Sequence, residues 1–424
     1  MYKYNILNKF SKFWIIFFPI ASYFFYRYVG FNEQLCKAIY FVVLPITVLF
    51  VFSELIGKYK NKLYAGLVRN IFMLMCFSML MAYSFWGQGF DLSYRVTAVY
   101  LAIVFFFFLM KTKPDLIYLE KIIWFFGILY LMIWIYGLFK APELVFGLDL
   151  KNGIDDSRGV FRLEVSGRAF LIVCFFMSLN KYTESKKSIW IGIFILLFIA
   201  IVMQVIRQII AFSFLIGLYH LLKSNKYLWI WMGLAGIIII FSINNITIKD
   251  KSVIGKLIAL SEDQFIQQKH GDEDIRTTEY RYFFTKYSKN IVTDLFGNGV
   301  PHTESPYGEK ETRLQNLKDL YSSDVGYADI FMRFGLLGLF FYGLIFFRVI
   351  KQKVPQKYMY AKLFILYLIF ANVAASWVFQ DTIVICICLY ILESCHENRQ
   401  ETFLFQYKRN EIFHRNTRIQ SNLS

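Results

Sequence analysis

The chain has 424 residues, of which 57% are hydrophobic, 20% aromatic and 18% charged, with a formal net charge of +16. A soluble domain of this length carries more charge, about a quarter of its residues, and the mean hydropathy of +0.46 likewise excludes one. The basic excess does not call for nucleic acid, because the placement of lysine and arginine along the chain accounts for all of it.

A helix crosses the hydrocarbon core in about 20 apolar residues at ~1.5 Å rise each. Candidate spans are Phe13–Val29, Ala38–Leu55, Ile71–Trp86, Val96–Met110, Ile122–Phe139, Ala169–Leu179, Ile189–Ile206, Ile209–Leu222, Tyr227–Ile243, Phe334–Phe347, Leu363–Phe379 and Thr382–Leu392. Ala169–Leu179 and Thr382–Leu392 are short, which puts Arg168 and Asp381 at a membrane edge. None of the runs shows the alternation of a barrel strand, so helices are expected. The first span follows basic residues without a convincing small-residue cleavage site and reads as a retained signal-anchor.

Twelve spans place both termini on one face. The segments on that face, from the N-terminal tail to the basic tail at 394–424, hold 25 Lys/Arg against 8 Asp/Glu, and the opposite face holds 21 against 22. The difference of +17 against −1 is the signature of a cytoplasmic face and an external one. The basic tail, YKRNEIFHRN, suits anionic lipid headgroups. Of six cysteines none falls in a large external loop, so no disulfide framework is expected, and Cys386 and Cys388 read as packing or lipid-facing residues.

The expected organisation is a single polytopic domain with two external loops of consequence. The first, 140–168, contains DDSRGVFRLEVSGR. The second, 244–333, is a mostly polar block with fourteen acidic and twelve basic residues. Within it Ser252–Gln268 is weakly amphipathic, and Thr277–Val292 is expected to be a helix carrying Tyr280, Phe283, Phe284 and Tyr287 near one face. Leu295–Pro301, with Gly297 and Gly299, reads as a loop, and Tyr327–Phe334 as helix leading into the tenth span, with Asp329 and Arg333 paired four apart.

The chain carries no metal-ligand spacing, phosphate loop, dinucleotide fingerprint or nucleophile elbow, so neither metal nor cofactor is expected. Outside the membrane it offers arginines: Arg158, Arg162 and Arg168 in the first loop, Arg207 in the turn between two spans, and Arg276, Arg281 and Arg313 in the second loop. Guanidinium forks match phosphate oxygens bidentately. Singly, each reads as a snorkelling or paired surface residue, but Arg207 interrupts a continuous apolar stretch where Gly or Asn would turn more cheaply.

Three stretches carry a resemblance. QVIRQIIAFSFLIGLYHLL, DIRTTEYRYFFTKYSKNIVTDLFGNG and SSDVGYADIFMRFGLLGLF are similar to segments of the bacterial O-antigen polymerase and O-antigen ligase superfamily, many-span proteins with a large late periplasmic loop. Arg207 and Gln208 match a Ser-Arg-Gln-type helix start with Ile206 in place of the small polar residue, and Arg281 to Gly297 encloses fifteen residues as in the polymerase pattern. The first loop departs, since Arg158-Gly159 lacks the Asn-Pro-Asn sequel, and Asp324 stands where ligases carry histidine.

The resemblance implies an all-α polytopic membrane protein with GT-C-like glycosyltransferase architecture, using an undecaprenyl-diphosphate-linked oligosaccharide as donor and another as acceptor. It implies diphosphate binding by Arg207, Arg276, Arg281 and Arg158, with Asp324 first and His302 second as the group accepting or orienting the acceptor hydroxyl. It also implies the bacterial cytoplasmic membrane, with a flippase and a chain-length regulator as partners, and no nucleic acid. Polymerisation of surface-polysaccharide repeat units is the leading expectation. A ligase with the same donor, and a flippase or other transporter, stand as alternatives; a transporter would show paired repeats and midplane charges.

Overall fold

The computed structural model of the chain describes residues 2–59, 61–140, 154–155, 162–163, 165–204, 206–224 and 274–400. Among these the architecture is helical: α1 (Tyr2–Ser22), α2 (Glu33–Ile56), α3 (Ala65–Trp86), α4 (Phe90–Leu101), α5 (Phe105–Thr112), α6 (Leu116–Lys140), α7 (Arg168–Ser185), α8 (Ile189–Val202) and α9 (Arg207–Ser224). After these come α10 (Ile275–Thr285), α11 (Ile291–Phe296), α12 (Pro306–Lys318), α13 (Gly326–Lys351), α14 (Met359–Ala371), α15 (Trp377–Gln380) and α16 (382–400). A two-residue antiparallel ladder pairs Ile154 with Leu163 and Asp155 with Arg162.

Among the described residues five helices are long and apolar enough to cross a membrane: Glu33–Ile56, Ala65–Trp86, Phe90–Thr112 (α4 and α5 joined by a 3-10 turn), Leu116–Lys140 and Gly326–Lys351. The chain is a helical membrane protein. The expected spans fall mainly on described helices, except Tyr227–Ile243, which lies outside the described residues together with Ser252–Gln268.

The two short expected spans prove to be central. Every residue of α7 from Arg168 to Asn180 is buried, as is every residue of α16 through Glu393. A helix apolar on all sides must be wrapped by others, and α6, α8, α9 and α14 all pack on α7. Length sufficient to face lipid is needed only by outer helices. On α13, by contrast, Leu336, Phe340 and Phe347 are exposed at helical spacing, a stripe suited to hydrocarbon. Cys386 and Cys388 are fully buried and therefore packing residues.

Three expectations need correction. Phe13–Val29 is not one α-helix: α1 ends at Ser22, and a 3-10 helix follows over Phe25–Val29. Leu363–Phe379 is not one helix: α14 ends at Ala371, and the chain runs irregularly to α15, with the Asn372 side-chain oxygen accepting the Val378 N–H at 3.1 Å. Irregular backbone at this position is tolerable because its polar groups find partners: Asn372 is fully buried, and the Val373 and Ala374 N–H groups donate back to the Phe370 and Ala371 carbonyls. Thr277–Val292 is likewise two helices. Asn290 starts the second one, accepting the Val292 and Thr293 N–H groups while the Thr293 hydroxyl accepts the Asn290 N–H. That reciprocal cap stabilises a new helix start more than continuation of the old one would.

Candidate functional site

The polar block docks onto the bundle through a break in α13. Gly335 leaves helical geometry with φ 66° and ψ −168°, so the Met332 and Arg333 carbonyls lose the N–H groups a continuous helix would offer. The Gly297–Gly299 loop replaces them. Asn298 N–H donates to the Met332 carbonyl at 2.9 Å, and Gly299 N–H to the Arg333 carbonyl at 3.0 Å. The Asn298 side chain adds a second donation to Met332 at 3.0 Å and accepts from the Trp86 indole at 3.1 Å. Gly297 and Gly299 have φ of 85° and 81°, and a Cβ on Gly299 would lie 2.5 Å from the Ser78 carbonyl. Both glycines of the expected loop are thus fitted to a backbone-to-backbone contact.

Beside this contact runs a buried polar network. Arg333 donates to Asp329 at 2.6 Å, and Ser376 donates to the other Asp329 oxygen at 2.8 Å. Arg333 also reaches the Ser322 hydroxyl at 3.4 Å, which donates to Glu311 at 2.9 Å, and its guanidinium lies 5.5 Å from the Tyr100 ring centre. The Ser376 N–H donates to the Ser323 carbonyl at 2.9 Å. The irregular 372–376 segment and the turn at Ser322–Asp324 are therefore held by one another.

Sequence reasoning missed the carboxylate above this network. Glu279 on α10 is 1% exposed; one oxygen accepts the Tyr321 N–H at 2.8 Å, and the other has no hydrogen-bond partner among the described residues. Burial pushes its pKa up to about 7, with the charge of Asp324 adding to the rise and Arg276 opposing it. Arg276, Glu279 and Asp324 thus share one electrostatic neighbourhood. Asp324 itself is exposed and accepts from the Ser323 hydroxyl at 3.3 Å, and Arg276 is exposed in the first turn of α10. Arg281 is exposed further along the same helix.

The remaining candidates lie elsewhere or serve structure. The His302 Nδ1 accepts the Glu304 N–H at 3.1 Å, and the His302 backbone N–H donates to the Gln88 side chain at 2.8 Å. Gln88 is fully buried and spends its whole amide here, donating to Ser93 and Val300 and accepting from His302 and Ser305. Among the described residues no contact joins His302 to Asp324. Phe283 and Tyr287, expected near one face of a loop helix, are buried in a core with Tyr307, Leu314 and Val325. Arg158 lies outside the described residues.

Arg207 is the first residue of α9. The adjacent Gln208 amide, oriented to satisfy both neighbours, donates to the Ala374 carbonyl and accepts from the Trp377 indole, each at 3.1 Å. Trp377 in turn lies 5.2 Å beneath the Arg168 guanidinium. These two line a cavity of about 310 Å³ with Tyr23, Ser166 and Asp381. Asp381 is 4% exposed, and its Oδ2 has no hydrogen-bond partner among the described residues. The same 372–377 segment therefore touches the Arg207 helix start on one side and the turn bearing Asp324 on the other.

No family model matches the chain, and no curated protein matches it.

Proposed function

We propose that the protein is a polymerase of bacterial surface-polysaccharide repeat units, a GT-C-like glycosyltransferase of about twelve spans in the cytoplasmic membrane with the 244–333 block external. In this reading an undecaprenyl-diphosphate-linked oligosaccharide is the donor, and the end of another lipid-linked repeat unit is the acceptor. The observation that carries it is that the helix bearing Arg276 and Glu279 meets the turn bearing Asp324 through the buried Glu279–Tyr321 hydrogen bond. The placement of lysines and arginines supports the external assignment.

The chemistry follows from those groups. The acceptor hydroxyl oxygen forms the bond to the anomeric carbon of the donor as the bond from that carbon to the diphosphate oxygen breaks. The hydroxyl proton passes to the exposed Asp324 carboxylate, while buried Glu279 holds the Tyr321–Asp324 turn through the Tyr321 N–H. The diphosphate leaves with the electron pair, and fixed guanidinium groups at Arg276, Arg281 and Arg207 meet its developing charge. The His302 backbone is part of the Gln88 anchor, and its imidazole stands second to Asp324 as the group orienting the acceptor hydroxyl.

Glycan-ladder electrophoresis of a knockout complemented with single variants tests the proposal, with expression checked for each. Arg276→Ala and Asp324→Ala should abolish long chains, and Arg276→Lys should restore them only in part, because an ammonium cannot reproduce the fork. Full-length ladders from all three would overturn the assignment. A reporter fused at Asn298 that proves cytosolic would do the same.

A further inference from the structure

At the end of the bundle away from the polar block, α9, α13 and α14 enclose a groove of about 580 Å³ whose lining combines Lys223, Lys362 and His220 with Leu363, Leu366 and Phe370. Its described lining contains no acidic side chain. The apolar residues sit three and seven positions apart on one face of α14, and Phe370 is half exposed, so the groove opens sideways where lipid would stand. The basic residues cluster at one end of it. Lys362 donates to the Ile350 and Gln352 carbonyls at 2.8 and 2.7 Å, which fixes its ammonium at the mouth. Lys223 comes within repulsion range of it, and His220 is held by Thr183 at 3.3 Å.

We propose that this groove binds an anionic phospholipid of the surrounding bilayer, with its phosphate between Lys223 and Lys362 and an acyl chain along Leu363, Leu366 and Phe370. Two like charges held together without an acid are stabilised by an anion between them. The eight steps from Lys362 to Phe370 rise about 12 Å, close to the ~15 Å depth of one leaflet's hydrocarbon. A free phosphate would use the lysines and leave the apolar wall uncovered; a phospholipid uses both. The basic end of the bundle is also the side on which anionic lipid is attracted to lysine. The inference is independent of the glycosyltransferase reading.

Native mass spectrometry of the full chain in detergent, titrated with phosphatidylglycerol or phosphatidylcholine, tests it. The wild type should retain phosphatidylglycerol in preference to phosphatidylcholine. Lys223→Gln should lose about fivefold in that preference, and Leu366→Trp, which fills the groove without touching charge, should lose binding of the lipid altogether. Inorganic phosphate at millimolar concentration should not displace the lipid. Equal retention of the two lipids, unchanged retention by both variants, or displacement by inorganic phosphate would each overturn the proposal. A thermal melt of each variant separates loss of the site from loss of the fold.

Discussion

Glu279→Gln changes one oxygen of a buried carboxyl to an amide and keeps the other, which can still accept the Tyr321 N–H. In the folded protein the Glu279 pKa is raised from 4.5 to about 7, principally by burial. The sign follows: a raised carboxyl favours the folded state while protonated, so its contribution is full below 4.5 and is lost as pH rises through about 7. At ~1.36 kcal/mol per unit the limit is about 3 kcal/mol, and partial screening by solvent brings the expected range to ~1–3 kcal/mol. Glutamine removes that loss. Thermal melts of the purified protein should therefore show Glu279→Gln more stable than wild type at pH 8.5 by this amount, and within ~1 kcal/mol of it at pH 5. Turnover of a synthetic lipid-linked repeat unit should behave oppositely. Wild-type rate should fall as pH drops through about 7 and Glu279 takes up its proton, and the variant should be slow throughout with a flatter profile. An identical stability offset at both pH values, or parallel pH–rate curves, would refute the reasoning.

Gly299→Ala should destabilise by ~2–4 kcal/mol, adding left-handed strain to an overlap with the Ser78 carbonyl, and should lower the melting temperature in detergent. Asp329→Asn should cost ~3–5 kcal/mol, because Arg333 would remain buried without its charge partner. Ser376→Ala should cost only ~1 kcal/mol, the net worth of one hydrogen bond, measured the same way. Combining the last two should give less than their sum, since Ser376 donates to the carboxylate that Asp329→Asn alters.

Much of the helical frame is legible in sequence because period and length of apolar runs report on lipid directly. The Asp329–Arg333 pair is legible too, since four-residue spacing on a helix is a local property. The breaks are not. Helix α14 stops at Ala371 within an apolar run because Asn372 finds a partner six residues on and because the Ser376 N–H reaches the Ser323 carbonyl, and neither partner is predictable from the run itself. Glu279 is hidden for the same reason: in a charged stretch it looks like a solvated residue, and only the fold shows that it is covered and that Tyr321 reaches it. Arg276 and Asp324 stand out as charges in a polar loop, whereas their proximity to one another's neighbour Glu279 needs the turn at Ser322–Asp324 to be folded.

The two interrupted helices explain how a polar block can be held rigidly on an apolar bundle. Each break frees backbone groups that cannot stay unpaired in a covered setting. At Gly335 they are met by the Gly297–Gly299 loop, and at 372–376 by Ser323. Gly326, where α13 begins, is closed over by the Ala375 carbonyl at 2.5 Å from the position a Cβ would take, so the second break is seated against the first helix's start. Asp329 then joins the two, bonding Arg333 above one break and Ser376 inside the other. Because these links are backbone and buried polar contacts rather than apolar packing, they fix orientation as well as distance. Chemistry placed on the Tyr321–Asp324 turn is thereby referenced to the bundle, and a lipid-borne group approaching along α9 and α15 would meet it at a fixed height.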